Sequence, residues 1–267
     1  MENDSINLPV QSLWIGSQLS NVERLCIQSF LDCGHAFHLY TYEKINNAPI
    51  GTTILDARSI LPEEKIFRYK KGWAKDSVSG FADIFRLEMI KKNGGWWVDM
   101  DIICLKKLDF KDDLVFCSSF EPEYGSLVNN CIFKAPKDSF FLNYCLQEIE
   151  KLDVTTMDFG LAGPFLFQKA IKALKLEKMV RPYDEFNPIS WKFIADVVLG
   201  KMPFKEKLKE IVRPVFKPQT MKGRVVSKNA YTLHLWNEVW KAGKLDKNAS
   251  YAPSSKFELL KKLHNIG

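Results

Sequence analysis

No stretch of these 267 residues approaches the roughly 20 consecutive apolar positions needed to span a bilayer. The opening MENDSINLPV lacks a basic n-region and an apolar core, so no secretory leader is expected. The chain is read as cytoplasmic, with peripheral association at the inner face of the cytoplasmic membrane as a variant of that reading. Six cysteines (Cys26, Cys33, Cys104, Cys117, Cys131 and Cys145) form no C-x-x-C pair, and several lie inside apolar runs. That pattern argues against a zinc site or a disulfide framework and for buried free thiols in a reducing compartment. A Walker A loop and a G-x-G-x-x-G turn are both absent, which leaves ordinary kinase and dinucleotide chemistry without a phosphate cradle. There is no nucleophile elbow. Zinc-finger spacing, RNP-type aromatics and dense arginine runs are also missing, so no nucleic-acid partner is expected. Histidine is scarce, with only four.

What is present suits a folded enzyme-sized unit. Apolar residues make up 46% and charged residues 26%, enough to bury a sizeable core. The formal net charge is +6, and the basic excess gathers late, in KMPFKEKLKEIVRP and SKFELLKKLH. Such an excess allows a nucleic acid, an anionic lipid surface or a phosphorylated small molecule as partner and selects none of them. VQSLWIG, AFHLYTY and TTILDA read as strands, and NVERLCIQSFLDCG reads as a helix, with Val22, Leu25, Cys26, Ser29 and Phe30 at helical spacing. Strand–helix–strand order implies a βαβ unit and an α/β fold with a mostly parallel sheet. Residues 56–78 read as a long loop with a short helix. SGFADIFRLEMIKKNGG reads as a helix capped at Ser79, with Asp83 in its first turn and Lys91 and Lys92 before an Asn93-Gly94-Gly95 stop. LVFCSSF and NNCIFKA read as further strands. SFFLNYCLQEIEKL, GPFLFQKAIKAL and FELLKKL read as helices. With no repeat and no low-complexity linker, residues 1–267 are expected to form a single domain, 1–108 forming one half and 109–267 the other.

The segment GGWWVDMDIICL is the most informative. About one D-x-D arises by chance in a chain of this length, so the pair matters only for its context. An apolar strand leading into Asp99-Met100-Asp101 puts two carboxylates at the C-terminal edge of a parallel sheet, where α/β proteins bind ligands. Side chains of a strand alternate, so Asp99 and Asp101 are expected on one side with Met100 turned into the packing. Paired carboxylate oxygens suit Mg2+ or Mn2+ and, through the ion, phosphate. On the preceding helix Asp83 and Arg86 are three apart and share a face. That pair could hold anionic charge and sugar hydroxyls beside the carboxylates, or it could be an ordinary solvated ion pair.

The run FADIFRLEMIKKNGGWWVDMDIICLKKL resembles the hallmark segment of the DXD-containing glycosyltransferases of the GT-A fold. More narrowly it is similar to the bacterial sugar transferases of the α-1,4-glycosyltransferase-like group and to the core of the large clostridial glucosylating toxins. The resemblance implies a GT-A-like (Rossmann-like) domain with a mostly parallel central sheet flanked by helices and a partly helical C-terminal region. It also implies a metal-dependent, retaining transfer from a nucleotide sugar, with a UDP-sugar as donor. Asp83, Arg86, Asp99 and Asp101 carry over as the catalytic set, and Asp99, Asp101 and His234 as the metal site for Mn2+ or Mg2+. SLWIG places Trp14 and Ile15 against the donor's base, and VNNCIFKAP places Asn129 and Asn130 at the donor sugar. LHLWNEVW contributes Trp236 and Asn237, and GLAGPFLF puts Gly163 and Pro164 on the acceptor side. Many relatives have Tyr and Asp where Trp97 and Val98 stand, and Thr where Ala162 stands. Residues 175–225 match nothing in the family pattern.

The implied acceptor is a glycan, lipid-linked in the reading that builds O-antigen, capsule or lipooligosaccharide. Phe257, Leu259, Leu260 and Leu263 among lysines form a C-terminal stretch suited either to a membrane surface or to packing on the domain. Trp236 and Trp240 could share a packed helix face. An effector-type transferase acting on a protein, a metal-dependent phosphoesterase and a non-catalytic carbohydrate-binding module are the competing readings. His35, His38 and His264 are assigned to structure or solvent.

Overall fold

The computed structural model describes residues 8–72, 74–154 and 156–267, apart from the side chains of Phe204, Glu206 and Lys207. Most of the opening decapeptide, Trp73 and Thr155 therefore lie outside the described residues. Six strands form the main sheet: β1 (Val10–Trp14), β2 (Phe37–Thr41), β3 (Thr52–Asp56), β4 (Gly95–Val98), β6 (Val115–Glu121) and β7 (Gly125–Ala135), in the order β3-β2-β1-β4-β7-β6. The pairings among β3, β2, β1 and β4 are parallel, while β7 runs antiparallel to both β4 and β6. The mostly parallel sheet flanked by helices is thus the one expected. β5 (Ile102–Cys104) leaves this sheet and pairs antiparallel with β8 (Thr232–His234).

Period-two alternation sets the layers. Trp96 and Val98 pack into a core formed with α1 (Asn21–Asp32), β5, β8 and α8 (Lys256–Leu263). Trp97, between them, packs the other way, into a second core against α2 (Ser79–Asn93), α3 (Phe140–Ile149) and α4 (Pro164–Ala173). α1 follows β1 on one face. α2 follows β3 and returns the chain to β4, on the far side of β1. The strand order therefore reverses between β1 and β4, and their carboxyl ends form the crevice that α/β sheets use for ligands.

Local chemistry fixes the ends of these helices. Ser20 and Glu23 close a capping box on α1. α2 begins differently from expectation: Val78 is at the cap position, and the Ser77 hydroxyl, not that of Ser79, accepts the Ser79 N–H at 3.2 Å. Asp83 accordingly lies past the first turn. At the other end Gly94 has φ 70°, and a Cβ there would sit 2.9 Å from the Lys137 nitrogen, so the turn demands glycine. Two short 3-10 turns, Ala57–Ser59 and Glu63–Lys65, stand in the loop after β3. All six cysteines are free and five are buried, with Cys33 half-buried.

The C-terminal stretch holds α5 (Tyr183–Phe186), α6 (Phe204–Phe216), α7 (Asn237–Ala242) and α8. Phe257 of α8 is fully buried and meets Trp240 edge-on at 5.1 Å, and Lys261 is buried as well. Phe257 thus docks this helix on the body, while Leu259 and Leu263 stay 54% and 69% exposed. His35 accepts the Leu108 N–H, and His264 pairs with Asp32, both structural roles as expected. No described helix is long and apolar enough to cross a membrane.

Candidate active site

The two carboxylates of D-x-D do not share one side of a strand. β4 ends at Val98, and residues 99–102 form a turn in which the Ile102 N–H bonds the Asp99 carbonyl at 3.1 Å. The peptide bonding partners require it: the Asp99 N–H still reaches the Cys131 carbonyl of β7 at 2.7 Å, while β5 must turn away to pair with β8. Convergence of Asp99 and Asp101 is produced by this turn. Met100 is buried in the core, as expected.

Asp101 is 3% exposed. Its Oδ2 accepts the Asn237 backbone N–H at 2.5 Å and faces His234 Nε2 at 3.3 Å. Its backbone carbonyl accepts the Leu235 N–H at 2.8 Å, so the end of β8 is wrapped around it. Burial pushes this carboxyl up, but His234 and the Asn237 N–H outweigh that and hold it below its ordinary value. Asp99 keeps 29% of its side chain open to the cleft, accepts Trp97 Nε1–H at 2.8 Å and pairs with Arg86 at 3.1 Å. Burial drives it up to about 6 against the pull of Arg86, with Asp101 adding to the rise. One ligand atom from each of Asp99, Asp101 and His234 lies within 4.8 Å of the others.

Two buried oxygens here have no hydrogen-bond partner, Asp101 Oδ1 and Asn237 Oδ1. Acceptors left without a donor are costly when buried, and a hard cation is what satisfies them. The residues present therefore fit a divalent ion. Asn187, fully buried at the end of α5, completes the arrangement. Its Nδ2 donates to the Ser118 carbonyl at 2.9 Å, so its Oδ1 must face His234 Nδ1 at 3.1 Å as acceptor. Nδ1 is thereby held as a donor to Asn187, which leaves Nε2 as the ring atom that faces Asp101 and could ligate a cation beside it. The ring also stacks on Trp236 at 4.0 Å and 18°. Trp236 itself has φ 56°, a left-handed conformation unusual for a bulky residue, and its Nε1 bonds the Ile189 carbonyl. It is thus outside α7 and does not share a helix face with Trp240, which is buried against Phe257 and Tyr251.

Arg86 is 3% exposed and fully engaged. It forms ion pairs with Asp83 Oδ1 and Asp99 Oδ1 at 3.1 Å each, donates to the Asn130 carbonyl at 2.6 Å and the Ala82 carbonyl at 3.2 Å, and stacks over Trp97 at 4.7 Å. Asp83, raised by burial against Arg86 and the Asn130 amide, receives Asn130 Nδ2–H at 2.7 Å. Gly163, the residue before α4, packs directly against that carboxylate: a Cβ there would stand 2.5 Å from Asp83 Oδ2. Asn129 spends its Oδ1 on the Cys131 N–H. Asp83, Arg86, Asp99, Asp101, Asn129, Asn130 and His234 border one cavity of about 1180 Å³, whose lining also includes Trp14, Ile15, Pro164, Trp236 and Asn237. Trp14 is half-buried at the end of β1, with Lys247 5.9 Å from its ring.

The structure brings together every site residue expected from sequence except Gly163, which borders the cavity through Asp83. Asn187, Trp191 and Lys192 were missed. They lie in 175–225, where no local pattern marks them. An Asn after a four-residue helix looks like any helix stop, and its role exists only once β8 has folded beside it.

Residues 20–120 match the family described as the glycosyltransferase sugar-binding region containing a DXD motif. No curated protein matches. Among solved structures the chain is similar to the PaToxG glycosyltransferase, at 17% identity and TM-score 0.44, covering 82% of this chain and 88% of that one. The WbbM bifunctional glycosyltransferase is similar at 10% identity and TM-score 0.44 over 98% of this chain and 52% of that one. The catalytic domain of alpha-toxin from Clostridium novyi is similar at 10% identity and TM-score 0.38, over 98% of this chain and 81% of that one.

Proposed function

We propose that this chain, whose residues 20–120 are of the DXD sugar-binding type, transfers a sugar from a nucleotide sugar, a UDP-sugar, to a glycan acceptor in bacterial surface-polysaccharide assembly. The observation carrying the reading is the Asp99–Asp101–His234 cluster, within 4.8 Å, at a cavity large enough for such a donor. Mn2+ or Mg2+ held by these three would stabilise the departing diphosphate as a Lewis acid. The protein's own groups do the rest. Trp14 offers a flat indole at the end of β1 for the base. Asp83 and Asn130, held by Arg86, present acceptors and donors for sugar hydroxyls. Arg86 is a positioning residue, because its guanidinium is consumed by Asp83, Asp99 and the Asn130 carbonyl. On the acceptor side Trp191 is 43% exposed and tied to Glu121, an aromatic face with a carboxylate beside it that suits a sugar ring.

The test is UDP or GDP release from a panel of UDP-sugars and GDP-mannose, with and without Mn2+. Metal-dependent release from one donor supports the reading. No release, together with no thermal stabilisation by UDP plus Mn2+, overturns it. Two substitutions sharpen the assignment. Asn187→Ala is expected to lower Mn2+ affinity roughly 10- to 100-fold by freeing the imidazole, read by titrating the Mn2+ EPR signal. Unchanged affinity would mean that stacking on Trp236 alone orients the ring. Gly163→Ala forces the Asp83 carboxylate aside, and a displacement of that order costs roughly 100-fold in kcat/KM. A variant with wild-type kinetics would remove Asp83 from the donor site.

A further inference from the structure

The positive charge of this chain is not spread over it. Residues 201–224 hold eight basic and two acidic side chains, the whole formal excess of +6, so the remainder is neutral. The same segment carries α6, whose Leu208, Ile211, Val212 and Val215 recur at i, i+3, i+4 and i+7 and are 50%, 72%, 47% and 77% exposed. Phe216 extends the stripe at 77% exposure. A single apolar residue at a surface is ordinary. Five on one helical stripe, edged by exposed Lys205, Lys209 and Lys217, are not.

The stripe is held facing outward. Glu210 forms ion pairs with Arg213 at 2.9 Å and with Arg224 at 2.8 Å. Arg224 in turn lies over the Phe193 ring at 3.6 Å, and the Ser190 N–H bonds the Gly223 carbonyl at 2.8 Å. These contacts tie the segment to Ser190–Phe193, and Trp191 and Lys192 from that stretch line the candidate active-site cavity. The helix is thus anchored beside the cleft by its polar side.

We propose that α6 is a membrane-surface helix that docks the chain on an anionic lipid bilayer, with the cleft held next to the lipid. Apolar side chains of this size enter the acyl boundary, and lysines along the margin meet acidic headgroups. A nucleic acid would use the lysines but leave Ile211, Val215 and Phe216 in water, so lipid accounts for both halves of the pattern. The inference stands on α6 and goes beyond the donor chemistry. Combined with the transferase reading, it makes the acceptor an amphiphile at that surface, and the membrane contact moves from α8 to α6.

The experiment is co-sedimentation of the full chain with phosphatidylcholine vesicles, pure or containing about 30 mol% phosphatidylglycerol, at low and physiological salt. Binding is expected on the acidic vesicles only, weakening with salt. Ile211→Asn with Val215→Asn, and separately Lys205→Glu with Lys217→Glu, should each reduce partition roughly tenfold. Thermal stability and UDP release from free donor should be unchanged, so failure here is distinguishable from failure of the donor assignment. No partition, or partition indifferent to both pairs, overturns the proposal. So does a dimer in solution that Ile211→Asn with Val215→Asn dissolves, because a second copy would then cover the stripe.

Discussion

Asp101→Asn is expected to abolish metal-dependent release of UDP while leaving the fold intact. The substitution is isosteric, and its carbonyl oxygen can still accept the Asn237 N–H that Oδ2 accepts at 2.5 Å. What it removes is the charge facing His234 and an oxygen that has no partner within the protein. A neutral amide cannot replace a carboxylate on a hard cation. Turnover should fall by roughly 1000-fold, about 4 kcal/mol of transition-state stabilisation, and Mn2+ titration should show no saturable site. Stability should change by under about 2 kcal/mol, since no cavity forms. A variant retaining metal-dependent release would sink the cation role for this residue, and with it the reading of the D-x-D turn as a donor site.

Arg86→Met should instead unfold the protein more readily than any other single change considered. The flexible thioether can keep packing on Trp97. Asp83 and Asp99 lose their cation at once, keeping only the Asn130 amide and the Trp97 N–H as donors, and the Asn130 carbonyl loses the Arg86 N–H. Removing one partner of a buried ion pair typically costs about 3–5 kcal/mol, because the remaining charge is left uncompensated. Urea unfolding at neutral pH measures it, and a loss under about 1 kcal/mol would show that Arg86 does not hold the cluster. The pH dependence has a definite sign. Burial already raises Asp83, and raises Asp99 to about 6, against Arg86, so without that cation both carboxyls rise further. An acid whose folded value exceeds its unfolded value penalises the fold as pH rises through that interval, and the penalty disappears as pH falls below it. The deficit of the variant should therefore narrow between neutral pH and pH 5. Arg86→Lys should restore little, since one ammonium cannot serve three acceptors from the same place.

Much of this was legible in the residues because the signals were local. The two-residue period of Trp96, Trp97 and Val98 reports which core each enters, and the glycines after α2 mark a turn that Lys137 leaves no room to alter. Asp99, Asp101, Asp83 and Arg86 lie within 19 positions of one another, so the spacing that joins them survives as a pattern. The strand-period argument for Asp99 and Asp101 reached the right neighbourhood by the wrong geometry. Whether a strand continues or turns at Asp99 depends on which partner receives Ile102–Cys104, and that partner, β8, comes from residue 232 onward.

Alternation, helix period, capping and the D-x-D context determined the mostly parallel α/β sheet and the strand end that carries the carboxylates, because those depend on neighbours a few positions away. Only the tertiary structure decided that Asn187 commits the His234 ring and that Arg86 is spent on three acceptors. It also decided that α6 leaves five apolar residues exposed, while α8 buries Phe257 and leaves Leu259 and Leu263 open. The reason is physical: both helices have amphipathic sequences, and what separates them is whether another surface is available to cover the apolar face. The core around Trp240 covers Phe257 of α8, while the Glu210–Arg224 pair turns α6 the other way.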